Sequence, residues 1–162
     1  MISGPSEVLP WIHESNLIED VDDFVADRFS MLAWENLCRH KSLTEETMLA
    51  CHKDIMDGFW PDIGGRYRNI FVMVGSRECP DPRYVPVLVF EWFKTYSSAK
   101  TLENIKQAHI DFEAIHPFRD GNGRTGRMIM NWQRRKIGLG PLLILSEKRE
   151  DYYQWFREAV HV

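Results

Sequence analysis

The chain has 162 residues, of which 44% are hydrophobic and 12% aromatic. This composition fits one domain with a buried core and excludes a disordered segment. The formal net charge of −4 argues against general nucleic-acid binding. Three cysteines without a CxxC pair, together with the absence of an HExxH pattern, argue against a disulfide framework and a zinc site.

The sequence predicts a cytoplasmic protein with no membrane or nucleic-acid partner. It contains no apolar run long enough to cross a bilayer, and its first residues lack the basic and hydrophobic regions of a signal peptide. The charge is uneven, with 13 acidic and 4 basic residues in positions 1–65 but 11 acidic and 16 basic residues in positions 66–162. An anion site is therefore expected in the C-terminal part.

Two amphipathic helices are predicted in the first 40 residues. Ser6 is expected to cap the first helix, and a break is expected within residues 19–23. The apolar positions of the second helix run from Phe24 to Leu37 at helical spacing.

The middle of the chain predicts a third helix and then a hairpin. Ser42 and Glu45 are expected to form a capping box before the third helix, and the sequence PDIGG ends that helix. Residues 70–74 are β-branched and aromatic, so they predict a strand of a short hairpin.

The remaining elements are predicted to be helical. Residues 85–96 form a helix with Pro86 in its first turn, and Thr101 caps the next one. Further helices are expected over residues 124–136 and 147–160. The fold class is therefore mainly α, a single helical domain with a small β-hairpin.

The segment HPFRDGNGRTGR, residues 116–127, combines features of a phosphate site. Gly121 and Gly123 permit a turn whose amides, with the start of the following helix, can surround an anion. Arg124 and Arg127 share one face of that helix, where cations oppose the helix dipole unless an anion compensates.

Two further side chains suggest a magnesium-nucleotide site with a general base. Asp120 beside a phosphate is repulsive unless a bridging Mg²⁺ joins the carboxylate and phosphate oxygens. His116 can accept a proton near neutral pH. The segment lacks the Walker pattern GxxxxGK[ST], and the alternative is a capped loop between helices with surface arginines.

The segment resembles the signature of the Fic family of nucleotidyl transferases, HxFx[DE]GNGRxxR. All eight specified positions match: His116, Phe118, Asp120, Gly121, Asn122, Gly123, Arg124 and Arg127. The similarity extends from about residue 40 onward and includes GGRYRN at residues 64–69. The resemblance implies a Fic-like helical domain with a β-hairpin flap.

The resemblance also implies a protein adenylyltransferase that uses ATP and Mg²⁺. His116 would deprotonate a Ser, Thr or Tyr hydroxyl of a target protein, which attacks the α-phosphate of ATP. Asp120 would hold Mg²⁺. The ATP-binding residues would be Gly121, Asn122, Gly123, Arg124, Arg127 and, near the adenine, Tyr153. The flap residues that would dock the target as an added strand are Ile70, Phe71, Val72, Met73 and Val74.

An upstream segment resembles the inhibitory motif [ST]xxxE[GN] of Fic proteins whose inhibitory helix precedes the core. Ser15 and Glu19 match it, whereas Asp20 stands where Gly or Asn is expected. Glu19 would pair with Arg127 and exclude a productive γ-phosphate. This interpretation divides the chain into an inhibitory helix segment, residues 1–20, and a Fic-like core, residues 21–162.

Two other functions use the same residues. Glu19 could orient water to remove AMP from a modified protein, or the domain could bind nucleotide and a partner without catalysis. An intact His116 argues against the second alternative, because binding alone needs no base. The target protein is not specified by the sequence, and a homo-oligomer is possible.

Overall fold

A computed structural model describes residues 4–159 of the chain. Within them, seven α-helices surround a buried core and one two-stranded sheet lies at the edge. The helices are α1 Pro5–Ile18, α2 Phe24–Cys38, α3 Glu45–Asp57, α4 Val85–Tyr96, α5 Leu102–Ile115, α6 Asn122–Lys136 and α7 Arg149–Ala159. Strands β1 Met73–Val74 and β2 Arg77–Glu78 pair antiparallel, with Met73 opposite Glu78. Short 3₁₀ turns occupy Pro61–Ile63, Pro82–Tyr84 and Ser146–Lys148.

Two of the predicted helix N-caps are wrong. Ser6 does not cap α1, which begins at Pro5, because proline at the first helical position has a suitable φ and no N–H to satisfy. Ser42 does not cap α3. Instead Thr44 and Thr47 form the capping box, since each hydroxyl accepts from the other's backbone N–H.

The predicted hairpin is present but shorter than expected. Only Met73 and Val74 of the predicted strand over residues 70–74 belong to β1. The Ile70 carbonyl accepts from the Arg68 guanidinium at 3.0 Å, and Ile70 forms no strand pair in the described sheet. The hairpin bends at Gly75, which has a φ of 59° that glycine adopts without steric cost.

Helix α6 lies at the centre of the domain and positions the candidate site. Eleven of its residues are buried, and it packs against α5, α3, α2 and α1. The buried side chains of α1, including Val8, Trp11 and Ile12, belong to the same apolar core. The last predicted helix also begins later than expected, at Arg149, and residue 160 lies outside the described residues. None of the helices in residues 4–159 is long and apolar enough to cross a membrane.

Candidate active site

His116 follows directly after α5 in a left-handed conformation, with φ of 50° and ψ of 64°. Its N–H donates to the Phe112 carbonyl at 3.0 Å, which ends the helix. Few non-glycine residues adopt a positive φ, so the surrounding structure must hold His116 in place. Its side chain is 19% exposed, which leaves part of the imidazole in contact with solvent.

Two arginines bind the last three carbonyls of α5 and the carbonyl of His116. Arg77 on β2 donates to the carbonyls of Glu113 and Ala114, both at 3.1 Å. Arg68, which is 4% exposed, donates to the carbonyls of Ile115 at 3.2 Å and His116 at 2.7 Å. These carbonyls have no acceptor role within the helix, so the two guanidinium groups satisfy them and fix the backbone of His116.

His52 holds the loop that follows His116. Its Nδ1 accepts from the Gly65 N–H at 2.9 Å, so in the neutral ring Nε2 carries the proton and donates to the Asp120 carbonyl at 2.9 Å. The His52 ring stacks on Phe118 with centroids 3.7 Å apart, and both side chains are fully buried. Burial lowers the pKa of His52 to about 4, so the ring is neutral near pH 7.

The turn before α6 depends on Gly121 and Asn122. Gly121 has a φ of 78°, and a Cβ there would collide with Met56. Asn122 accepts from the Phe118 N–H and donates to the Phe118 carbonyl, both at 2.8 Å. The Asn122 amide therefore braces the loop, and its predicted contact with phosphate stays a prediction.

Arg124 is a buried cation with too few partners. It is 3% exposed, yet within residues 4–159 its Nε and Nη1 have no hydrogen-bond acceptor. The nearest carboxylate oxygen belongs to Asp120, 3.6 Å from Nη2, and the Phe59 ring lies 5.4 Å from the guanidinium carbon. Burial lowers the pKa of Arg124. An unpaired buried charge is costly, so these donors suit an incoming anion.

Arg127, one turn further along α6, is fully engaged. Its Nε donates to the Ser15 hydroxyl at 2.8 Å, and Nη2 donates to the Ser15 carbonyl at 2.9 Å and to Glu19 Oε1 at 2.7 Å. Nη1 donates to the Tyr152 hydroxyl at 3.2 Å. Burial by itself lowers the pKa of Arg127, but Tyr152 and Glu19 hold it above its usual value.

The Glu19 carboxylate lies over the start of α6. A Cβ placed on Gly123 would collide with Glu19 Oε1, so this oxygen sits against the first turn, where a helix attracts anions. The next residue, Asp20, adopts a φ of 57°, the conformation that the expected Gly or Asn favours. Its carboxylate pairs with Arg149 at 2.8 Å, which directs this charge away from the turn.

Asp120 is the one acidic side chain of the segment 116–127 and is 45% exposed. Its Oδ1 accepts from the Gly121 N–H at 2.7 Å. The part of the chain that the structure describes holds no cluster of three or more His, Cys, Asp or Glu able to bind a metal. An exposed carboxylate beside the glycine turn suits a Mg²⁺ ion whose other oxygen ligands would come from water and phosphate.

The remaining predicted site residues lie around this centre. Tyr153 packs on the end of α1, with its hydroxyl 3.4 Å from the Ile18 carbonyl, and its predicted contact with adenine stays a prediction. Of the flap residues, Phe71 and Met73 are 63% and 64% exposed. The main-chain groups of an exposed strand edge can pair with an added strand, and exposed apolar side chains beside it can contact that strand.

The sequence predicts no role for several side chains that lie beside the site. His52 was part of an apolar helix face, and Arg68 lay within the quoted segment GGRYRN. The others are Arg77, Glu113 and Tyr152. Their contacts join residues 25 to 68 positions apart, or depend on the turn at His116.

Comparisons with known proteins identify the same segment. The sequence profile of the Fic/DOC family matches residues 42–133. A protein named protein adenylyltransferase Fic from Nematostella vectensis is 30% identical over 128 residues, which are 76% of this chain and 30% of that protein. One of the same name from Drosophila willistoni is 34% identical over 129 residues, 76% of this chain and 26% of that protein.

Solved structures show the same fold. A crystal structure of a Fic family protein from Desulfovibrio desulfuricans G20 superposes with a TM-score of 0.79 at 24% identity, over 94% of this chain and 57% of that one. The present chain spans less than a third of the length of these curated relatives.

Proposed function

Because the chain belongs to the Fic/DOC family, we propose that it is a protein adenylyltransferase, which moves AMP from ATP to a hydroxyl group of a target protein. The observation that carries this proposal is the buried Arg124, whose Nε and Nη1 have no acceptor within residues 4–159. It lies beside a glycine turn and a helix start, the arrangement that binds phosphates. The name of the adenylyltransferase relatives supports the reaction class.

His116 supplies the base for this reaction. Its imidazole accepts the proton of the target hydroxyl, and the hydroxyl oxygen forms a bond to the α-phosphorus of ATP. The bond from this phosphorus to the bridging oxygen breaks, and pyrophosphate leaves. Positioning and charge neutralisation supply most of the rate in phosphoryl transfer, which agrees with a site built mainly from buried donors.

The nucleotide phosphates are bound by the turn at residues 121–123 and by the two arginines. Arg124 takes the phosphates through its free N–H groups, and Arg127 does so once Glu19 has moved. Asp120 would hold Mg²⁺, which neutralises phosphate charge when bound. Tyr153 contributes to the adenine site, and the exposed hairpin edge with Phe71 and Met73 binds the target segment.

Glu19 keeps this enzyme at low activity. Its carboxylate pairs with Arg127 and covers Gly123, so it occupies a position that favours a phosphate oxygen. The Ser15 hydroxyl and carbonyl hold the same guanidinium. A productive γ-phosphate must therefore displace the Glu19 carboxylate.

The test compares the parent protein with Glu19→Gly. Each is incubated with ATP labelled at the α-phosphate, Mg²⁺ and a cell lysate. We expect protein labelling to rise at least about tenfold in Glu19→Gly, because loss of one interaction worth 1.4 kcal/mol changes a ratio by ten. Asp22→Gly removes an exposed acid nearby and is expected to label like the parent. Labelling that persists in His116→Ala, or is absent from every variant, would contradict the proposal.

A second candidate, hydrolytic removal of AMP from a modified protein, is favoured by the position of Glu19. Its side chain is 37% exposed although one oxygen binds Arg127, so the carboxylate can also hold a water molecule. Release of AMP from a labelled target by the parent protein, but not by Glu19→Gly, would identify this activity. A non-catalytic nucleotide-binding domain would instead bind ATP without turnover in any variant.

A further inference from the structure

Glu113 is a buried carboxylate beside the proposed base. It lies one turn before His116 in α5, and its side chain is 14% exposed. Glu113 Oε2 lies 3.6 Å from His116 Nδ1. Both His116 Nδ1 and Glu113 Oε1 are buried without a hydrogen-bond partner among residues 4–159.

We propose that Glu113 is a positioning residue for His116. Its carboxylate accepts the Nδ1 proton, which leaves the lone pair of Nε2 for the hydroxyl of the target, and it stabilises the imidazolium that forms on proton transfer. This inference rests on the proposed transferase function, because the protonated imidazole forms in that reaction. It concerns which residue determines the tautomer and orientation of the His116 imidazole, and Glu113 is not one of the eight signature positions.

The chemistry requires such a partner. A neutral imidazole carries one proton, and the hydrogen bond made by one nitrogen decides which nitrogen carries it. A buried carboxylate at Nδ1 fixes the tautomer and ring orientation, as the acid of a hydrolase triad does. The separation of 3.6 Å is longer than a hydrogen bond, and catalytic hydrogen bonds often shorten only when substrate binds.

The surroundings keep Glu113 ionised. Burial by itself raises the pKa of Glu113, but His116, His109 and Arg127 hold the pKa below its usual value. The charged and titratable groups that face Glu113 come from four elements: His109 and His116 at α5, Arg127 on α6, Tyr152 on α7, and Cys79 after β2. Arg77 binds the Glu113 carbonyl and not its carboxylate.

A purely structural role gives a different expectation. Glu113 could serve only to balance the buried charge of Arg127, in which case neutralising Glu113 would lower stability without changing the tautomer of His116. The imidazole nitrogens of His116 therefore provide the discriminating measurement. Nitrogen NMR of the full chain with labelled histidine reports the tautomer, and His116→Ala identifies the signals.

The variant Glu113→Gln keeps the shape but removes the charge, and its amide can donate to Nδ1. We expect the tautomer of His116 to change toward a protonated Nε2. Glu113→Asp retains the charge on a shorter side chain, so we expect it to keep part of the parent population of the Nδ1-protonated tautomer. Glu103→Gln removes an exposed acid from the same helix and should leave the His116 signals as in the parent.

Activity is measured in the Glu19→Gly background. Glu113→Gln is expected to lower AMP transfer at pH 7 at least about tenfold, within the range ascribed to general base catalysis, with an unchanged KM for ATP. Unchanged His116 signals in Glu113→Gln would overturn the inference even if AMP transfer were observed. Changed signals without AMP transfer in any variant would support the positioning role and refute the transferase function. If Glu113→Gln does not fold, the Glu113→Ala spectra decide, and parent-like His116 signals in that variant would overturn the inference.

Discussion

Arg124 and Arg127 lie on one face of α6, but their guanidinium groups differ in the number of hydrogen-bond acceptors around them. Both side chains are at most 3% exposed and they lie three residues apart. Arg127 has acceptors from the α1 end and α7. In the described part of the chain, Arg124 has only a carboxylate 3.6 Å from Nη2, the Met56 sulfur at 3.8 Å and an aromatic ring. A buried charge without full pairing opposes folding, so Arg124 is retained at the expense of stability.

The variant Arg124→Met tests this trade-off. Methionine has a similar length and no charge, so we expect the free energy of unfolding to rise by about 1 kcal/mol or more. ATP binding is expected to fall at least about tenfold, because charge-assisted hydrogen bonds contribute on the order of 1.5–3 kcal/mol. Urea unfolding and ATP titration in the Glu19→Gly background measure the two effects.

The exposed Arg39 provides the control for Arg124. Arg39→Met removes the same charge at the surface and is expected to change neither quantity. A less stable Arg124→Met protein that still binds ATP would show that Arg124 supports the fold and not the nucleotide.

The residue types of the site could be predicted from the sequence, but their partners could not. His116, Asp120 and both arginines stand in one short segment whose composition indicates phosphate chemistry. The contacts that hold this segment come from elsewhere in the chain. His52 binds a carbonyl 68 positions away, and a side-chain bond to a backbone atom leaves no pattern in the local sequence.

The C-terminal end of α5 is where the hairpin and the proposed base meet. Arg77 and Arg68 together bind its last three carbonyls and the carbonyl of His116. A guanidinium group also complements the negative end of the helix dipole. Movement of the hairpin therefore affects the backbone that carries His116.

The variant Arg77→Ala tests this link between the hairpin and the helix. We expect faster hydrogen exchange at residues 72–79, because the hairpin loses two bonds to α5, and a stability loss of about 1 kcal/mol. AMP transfer to a target protein is expected to fall more than ATP binding, since the hairpin edge and not the phosphate turn is loosened. Exchange mass spectrometry and the labelling assay measure these effects.

Arg83 is the matched control for Arg77. It lies just beyond the hairpin and pairs with the carboxylate of Asp81. Among the described residues, no hydrogen bond joins its side chain to α5. Arg83→Ala should leave hairpin exchange and AMP transfer unchanged. Equal exchange in Arg77→Ala and the parent would refute the proposed link.

The sequence predicted the presence of the helices better than the residues at which they begin. The prediction for residues 85–96 is confirmed as α4, because Pro86 and a strong apolar stripe mark the element. The caps of α1 and α3 were wrong, since Pro5 and the pair Thr44 and Thr47 compete locally with the serines. The predicted strand was too long. β propensity does not reveal that the Arg68 guanidinium donates a hydrogen bond to the Ile70 carbonyl.

Across the whole molecule, the proposed inhibitory segment is part of the core and not a loose arm. Apolar side chains of α1 pack with α2 and α6. Asp27 on α2 accepts from Asn16 at 2.7 Å and lies 2.8 Å from His13 Nδ1. The division into residues 1–20 and 21–162 therefore stays a functional proposal, in which Glu19 moves while most of α1 remains packed.

The stability of the whole domain is expected to depend on pH through buried histidines. Burial lowers the pKa of His109 to about 4, against about 6.5 in an unfolded chain. Glu113 opposes this shift and Arg127 reinforces it. Between these two pH values the unfolded state binds more protons than the native state, so stability is present above about pH 6.5 and is lost as pH falls toward 4.

The variant His109→Gln removes this titration and allows a glutamine oxygen to accept from Tyr152, whose hydroxyl lies 2.7 Å from His109 Nε2. We expect the slope of unfolding free energy against pH, measured by urea unfolding between pH 4 and 6.5, to be smaller than in the parent by about 1.4 kcal/mol per unit. His40→Gln, a change at an exposed histidine, should keep the parent slope. Identical slopes for His109→Gln and the parent would mean that His109 takes up its proton equally in the folded and unfolded states.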